Sequence, residues 1–244
     1  MPANPRVQLF IPCLVDQFFP SVGKAMVEIC SALGYEILYP YEQTCCGQWA
    51  YNMGDFAEAK KLAERFLTIF NSPDPIVSPS GSCVYMVRHH YPELFKDNPG
   101  KLTQIRKLGS QLFEASEFLF QKHPDINWKA RKPVTVTYHE SCHLKRGLGI
   151  SAEPRFLLKK TEGLTFVEME EPDRCCGFGG LFSTKFPEIS GAILEDKISR
   201  ILATGAEVVT GGDVGCLLNM EPALKDKARH ITISHFLELM VPAL

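Results

Sequence analysis

The sequence has no run approaching the roughly 18 to 20 consecutive apolar residues of a membrane span, and its opening, MPANPRVQLFIPC, lacks the apolar stretch of an export signal. A cytoplasmic location and no integral membrane segment are the expectations. Charge of one sign is missing as well: 26 Lys and Arg stand against 28 Asp and Glu, for a net charge of -2. No overall field draws such a chain to nucleic acid or to an anionic surface, so small molecules or protein partners are expected. The C-x2-C knuckle of structural zinc sites is absent. So is the G-x-G-x-x-G of a dinucleotide loop; the glycines of GFGG at 177–180 have the wrong spacing for one.

What the chain does have is nine cysteines in 244 residues. Without an export signal they face a reducing compartment, where thiols bind metals or do redox work more often than they form structural disulfides. The odd count also argues against a fully paired framework. Eight of the nine fall into two matching sets, Cys13, Cys45, Cys46 and Cys83, then Cys142, Cys175, Cys176 and Cys216, with offsets of 129, 130, 130 and 133. Their surroundings match too. VQLFIPC and VTVTYHESC each run an apolar segment into the first Cys, and PIVSPSGSCVYM and EVVTGGDVGCLLNM each give an apolar run, a glycine-containing turn and then the last Cys. The chain is therefore read as a duplication, with domains at 1–127 and 128–244 and the join in the polar stretch 121–133.

Within each half, short β-like runs alternate with helical periodicity. In the first, strands at 7–11, 36–40 and 75–78 alternate with helices at 20–33 and 54–70, and a long helical segment at 100–122 closes the half. In the second, strands at 134–138, 164–168 and 207–211 alternate with helices near 153–161 and 187–205. Alternation of this kind points to parallel pairing through right-handed crossovers. The fold class expected is α/β: two tandem pseudo-symmetric domains, each a small, mainly parallel sheet flanked by helices.

This arrangement places each repeated cysteine just after a strand, at the rim where open parallel sheets bind ligands. Core packing needs no sulfur at three separate loop positions, nor a duplicated Cys-Cys pair. Cys30, alone on a helix face and without a counterpart, reads instead as an ordinary buried thiol. A single zinc would gather four sulfurs at about 2.3 Å from one point, a shell that neighbouring residues rarely enter together. A cluster of several irons spreads its thiolates, so that consecutive cysteines can reach different irons, and the glycine after them lets the backbone approach. Iron-sulfur is favoured over zinc and over plain dithiol chemistry.

Two copies of Cys, a gap of 31 or 32, Cys-Cys-Gly, a gap of 36 to 39, then Cys, together with the phrases PSGSC, YHESCHLKRGLGI, CCGFGGLFS and GDVGCLLNM, resemble the duplicated cysteine-rich CCG domain family. That family includes the cysteine-rich subunit of heterodisulfide reductase and the iron-sulfur subunit of glycolate oxidase; within it the chain is most similar to the lactate utilization A branch. The resemblance implies an electron-transfer subunit working with lactate utilization proteins B and C in oxidising L-lactate to pyruvate. It also implies iron-sulfur clusters of the [4Fe-4S] type, one per domain, on the eight repeated cysteines. The family often ends each motif with C-x-x-C, but the earlier position here is Ser80 or Asp213. Four thiolates suffice for an ordinary cube, and a five-cysteine cluster would need an oxygen from Ser80 or Asp213. An incompletely held cluster acting as a heterodisulfide or thiol reductase, and a zinc-stapled scaffold, are the alternatives.

Of the two histidines flanking Cys142, His139 and His143, the second is the better auxiliary candidate because it adjoins the cysteine. Lys145 and Arg146 could attract a carboxylate, though two basic residues on a loop are more often simply solvated. His89 and His90, beyond Cys83, read as surface or interface residues.

Overall fold

The computed structural model describes residues 4–243, and the chain divides into two compact units, Met1–Phe118 and Leu119–Leu244. The first unit runs β1 (Arg6–Leu9), α1 (Cys13–Phe18), α2 (Pro20–Ala32), β2 (Glu36–Leu38), α3 (Gln48–Met53), α4 (Phe56–Ile69), β3 (Ile76–Ser78) and α5 (Gly81–Tyr85). A π-helical turn (Met86–His90) leads into α6 (Tyr91–Leu94), α7 (Pro99–Gln111), β4 (Leu112–Glu114) and α8 (Ala115–Lys122), whose last residues belong to the second unit. All four strands are parallel, in the order β2-β1-β3-β4.

Local sequence explains the helices. Pro20 opens α2 at the position where its missing N–H costs nothing, and Val22, Met26, Ile29 and Cys30 then recur on the buried side. Asp55 caps α4 by accepting from the Glu58 N–H at 3.0 Å. That helix turns Ala59, Ala63, Phe66 and Leu67 inward. There Phe10, just beyond β1, packs edge-on against Phe66 and Phe70, with ring centroids 4.9 and 5.5 Å apart.

The helical segment expected over 100–122 is interrupted. Leu112–Glu114 leaves the helix and adds β4 to β3, in register Ile76 with Leu112. Tertiary pairing overrides propensity here: Leu112 and Glu114 are fully buried, and the Glu114 carboxylate, accepting from the Ser116 N–H at 2.7 Å, restarts the chain as α8. A three-residue strand between two good helices leaves no period of its own to read.

The second unit runs β5 (Trp128–His139), a π-helical turn (His143–Leu148), α9 (Ala152–Lys160), β6 (Thr161–Phe166), α10 (Leu181–Lys185), α11 (Pro187–Ala203), β7 (Val208–Gly211), α12 (Val214–Lys227), β8 (Thr232–His235), α13 (Phe236–Leu239) and β9 (Met240–Pro242). Its parallel order, β6-β5-β7-β8, repeats that of the first unit, and β9 adds antiparallel to β5. The α/β class read from the sequence is the observed one. β5 begins at Trp128, inside the expected polar join, and its pairing with β6 shifts register between Lys129 and Val134; Pro133, which has no N–H for the ladder, lies in that gap.

In each sheet the first strand has its sequence successors on opposite sides, β2 and β3 around β1, β6 and β7 around β5. Connections leave the carboxyl ends in opposite directions at that point and open a crevice. Cys13 and Cys83 follow β1 and β3 directly, and Cys142 and Cys216 follow β5 and β7.

Candidate metal centres

The four thiols of the first unit form a continuous series. Cys13 hydrogen-bonds Cys45, Cys45 engages its neighbour Cys46, and the Cys46 thiol lies 3.3 Å from the Cys83 sulfur. None is in a disulfide. Cys46 and Cys83 are buried, whereas Cys13 and Cys45 reach the rim. Hydrogen bonds from Cys13 and Cys46 hold Cys45 far below the usual thiol range. The bond with Cys45, burial and the negative charge of Cys45 and Cys83 drive Cys13 far above it. Cys46 is likewise pushed up, by its bonds to Cys45 and Cys83 and by complete burial. A set sharing one favoured thiolate sheds its remaining protons when a cation takes their place.

The second unit repeats the layout with Cys176 and Cys216 buried, Cys142 at the rim and Cys175 exposed. Cys175 is driven up by its bond with Cys176 and by burial. Cys176 is drawn down by Cys175, but Cys216 and burial outweigh that and carry it well up. Burial is the main cause raising Cys142.

In both units the backbone holds the Cys-Cys pair the same way. The N–H of Gly47 donates to the Cys45 sulfur at 3.3 Å, and that of Gly177 to the Cys175 sulfur at 3.3 Å. Gly177 sits at φ +85°, and a Cβ there would meet the Ser190 carbonyl oxygen at 2.6 Å, so the close approach requires glycine. The carbonyl of the second cysteine is pinned from outside the motif: Tyr91 OH donates to Cys46 O at 2.9 Å, and Asn219 Nδ2 to Cys176 O at 2.8 Å. Neither anchor was apparent from the sequence.

One donor is not a thiol. His139, at the end of β5, is 1% exposed, and a ring nitrogen lies with the Cys176 and Cys216 sulfurs, all within 4.8 Å of one another. Neither ring nitrogen has a hydrogen-bond partner. Burial, helped by the charge of Lys197, pulls its pKa to about 3, so the imidazole is neutral and able to bind a cation. Lys197 on α11 is itself fully buried. Its ammonium donates to Pro172 O at 3.0 Å and approaches Met169 Sδ at 3.6 Å. Burial lowers it to about 8 against the opposing pull of Cys176 and Cys216.

The other sequence candidates fall as follows. His143 Nδ1 lies 3.9 Å from the Cys142 sulfur. Ser80 Oγ stands 3.4 Å from Ser82 Oγ, and Asp213 caps α12 by accepting from Gly215 N at 3.2 Å. Lys145 is ion-paired with Glu140 at 3.0 Å and Asp173 at 3.2 Å, and Arg146 reaches Asp173 at 3.7 Å. Lys145 is thus paired within the chain, whereas Arg146 is largely exposed and shares Asp173 with it. Glu140 is pushed up by burial, but Arg155, Ser151 and Lys145 outweigh that and hold it below the usual range. This network braces the turn carrying Cys142. Cys30 is buried in α2, where burial raises it to about 12, and His90 pairs with Glu93 at 2.9 Å.

The donor sets fit a metal-sulfur group: inner thiols removed from water, outer thiols at the rim, backbone N–H groups on sulfur, and in one unit an orphaned imidazole. The cysteine-rich CCG domain model matches residues 7–88 and again 136–221. Lactate utilization protein A of Exiguobacterium sp. strain AT1b is 43% identical over 238 residues, 97% of this chain and 97% of that one. The chain belongs to the lactate utilization protein A family of tandem CCG domains. Lactate utilization protein A 2 of Bacillus cereus strain Q1 is 41% identical over 239 residues, 98% of this chain and 99% of that one. A crystal structure of a hypothetical protein from Helicobacter pylori aligns over 96% of the tandem CCG chain with a TM-score of 0.63 at 13% identity, a likeness of fold alone; this chain spans 48% of that one. Among the described residues no helix is long and apolar enough to cross a membrane.

Proposed function

We propose that the chain is an iron-sulfur electron-transfer subunit of a complex that oxidises L-lactate to pyruvate. The single observation that carries the reading is the duplicated thiol set at the switch-point crevice of each sheet, with its inner pair buried and its outer pair at the rim. Cys13, Cys45, Cys46 and Cys83 would hold one [4Fe-4S] cluster, and Cys142, Cys175, Cys176 and Cys216 the other, supplying one-electron redox chemistry that no side chain provides. Ser80 and Asp213 are engaged at the starts of their own helices, which supports four thiolates per unit and not a five-ligand cluster. The names of the relatives support lactate as the fuel. A carrier also needs a donor and an acceptor, here partners of the lactate utilization protein B and C kind. Apolar residues exposed in the first unit and within eight residues of its cysteines in the chain, Phe18, Tyr41 and Met53, support a protein partner.

The test is electron delivery. Anaerobically prepared chain mixed with L-lactate alone stays oxidised, and it becomes reduced when proteins of the B and C kind are added. Reduction by lactate without them, or none with them, contradicts the reading. The exposure of Cys175 favours one alternative, a disulfide-directed reductase; a spectral change of the isolated chain on adding a disulfide would support that reading instead.

A further inference from the structure

The two units share a strand order but not a lining. Phe10 and Val77 are joined by a Phe10 N–H to Val77 O bond of 3.0 Å, and in the second sheet Tyr138 pairs with Thr210 and His139 with Gly211. Taken with the offset of 129 between Cys13 and Cys142, this makes His139 the counterpart of Phe10. The helices that back the sites align through the glycine contacts. A Cβ on Gly47 would meet the Ala59 carbonyl, and one on Gly177 the Ser190 carbonyl. Ala59 and Ser190 therefore correspond, and seven residues further along each helix so do Phe66 and Lys197. An aromatic pair in the first unit, Phe10 on Phe66 at 4.9 Å, is replaced in the second by an imidazole and an ammonium.

A buried imidazole with neither nitrogen hydrogen-bonded carries an uncompensated desolvation cost, and duplication shows that this position can be filled by phenylalanine. Its cost is offset if a cation binds there. The neighbours are two buried thiols whose sulfurs lie within 4.8 Å of the ring nitrogen and of each other, a mixed nitrogen and sulfur set typical of borderline-soft metals. His143 stands on the far side of Cys142 in sequence and approaches that rim thiol at 3.9 Å.

We propose that His139 is a direct metal ligand in the second unit, making that centre a cysteine/histidine site while the first is held by thiolates alone. The inference rests on the reading of the cysteine sets as metal centres, but not on the metal being iron. With His139 bound in place of one of the four thiolates, the negative charge around the centre falls and its potential rises, as it does where histidine replaces cysteine at other iron-sulfur sites. The two centres of one chain then differ in potential although their cysteine spacing is alike.

The experiment labels histidine with 15N in the ring, so that peptide nitrogens near sulfur are not counted. Pulsed EPR of the reduced, iron-loaded chain is expected to show a strongly coupled histidine nitrogen. H139F, which installs the residue the first unit already uses, is expected to lose that coupling and keep the first centre's signal. If the chain takes up zinc and no iron, the iron-sulfur reading fails separately, and X-ray absorption at the zinc edge reads the same nitrogen in wild type and its loss in H139F. Absence of a histidine nitrogen from the wild-type centre overturns the proposal without requiring any variant to fold. A coupling that survives in H139F and disappears in H143Q overturns it too.

Discussion

Replacing Gly177 by alanine is expected to damage the second unit much more than the same change at Gly47 damages the first. Both glycines follow a Cys-Cys pair and both sit at positive φ, +85° and +87°, so an alanine at either meets a backbone penalty of about 1 to 2 kcal/mol. Space separates them. At Gly47 the new Cβ would lie 3.4 Å from Ala59 O and from Leu62 Cβ, an ordinary contact, whereas at Gly177 it would lie 2.6 Å from Ser190 O and 3.3 Å from Ser190 Oγ. Ser190 is on the backbone of α11, which must move, at a cost of roughly 1 to 3 kcal/mol for an overpacked contact. That movement also strains the 2.8 Å bond from Ser190 Oγ to Gly177 O, worth about 1 kcal/mol. The expected loss is roughly 3 to 6 kcal/mol for G177A and about 1 to 2 kcal/mol for G47A. Urea unfolding of the metal-free proteins measures both, and metal content shows G177A emptying mainly the second site. Equal losses, or a G177A protein as stable as wild type, would refute the packing argument.

Other outcomes follow from single contacts. Y91F frees the buried Cys46 carbonyl and N219L the Cys176 carbonyl, each at about 1 to 3 kcal/mol; in each variant metal retention under chelator challenge should fall in its own unit only. K197M removes a buried positive group from beside Cys176, and the second centre's midpoint potential should fall by at least the roughly 59 mV of a tenfold one-electron change; K197R should retain more of it. Glu114 has its carboxyl raised from 4.5 to about 8 by burial, against the Ser116 hydroxyl and N–H and the Glu117 N–H. Its folded pKa exceeds the unfolded one, so its contribution is complete below about pH 4.5 and is lost as pH rises toward 8, on the order of 5 kcal/mol in all. E114Q should flatten the stability profile across that window, and an unchanged profile would show that Glu114 is not the group titrating.

The strands and helices nearest the cysteines were legible because the duplication let each half vouch for the other: 7–11 with 134–138, 75–78 with 207–211. What had no clear period stayed hidden. β4 is three residues between two helices, and β9 is set by antiparallel pairing with Trp128–Ala130, which local sequence does not encode. Spacing groups the cysteines into two sets, but it does not say which histidine lies near the sulfurs. Adjacency to Cys142 favoured His143, whereas β5 ends so that His139 shares a buried site with sulfurs 37 and 77 residues away in the chain. The signal was present in a different form. The counterparts of His139 and Lys197 are Phe10 and Phe66, and polar groups standing where the duplicate keeps aromatics mark positions that packing alone does not explain. Tyr91 and Asn219 left no such trace, because they reach equivalent carbonyls from unrelated positions.

The central claim is that the two cysteine sets hold polynuclear iron. The direct measurement is iron, acid-labile sulfide and zinc per chain after anaerobic purification, with EPR of the reduced protein. Two [4Fe-4S] centres give about eight irons and about eight sulfides per chain and a signal from interacting or distinct reduced clusters. One or two zinc ions per chain, with no sulfide and no EPR signal, would contradict it.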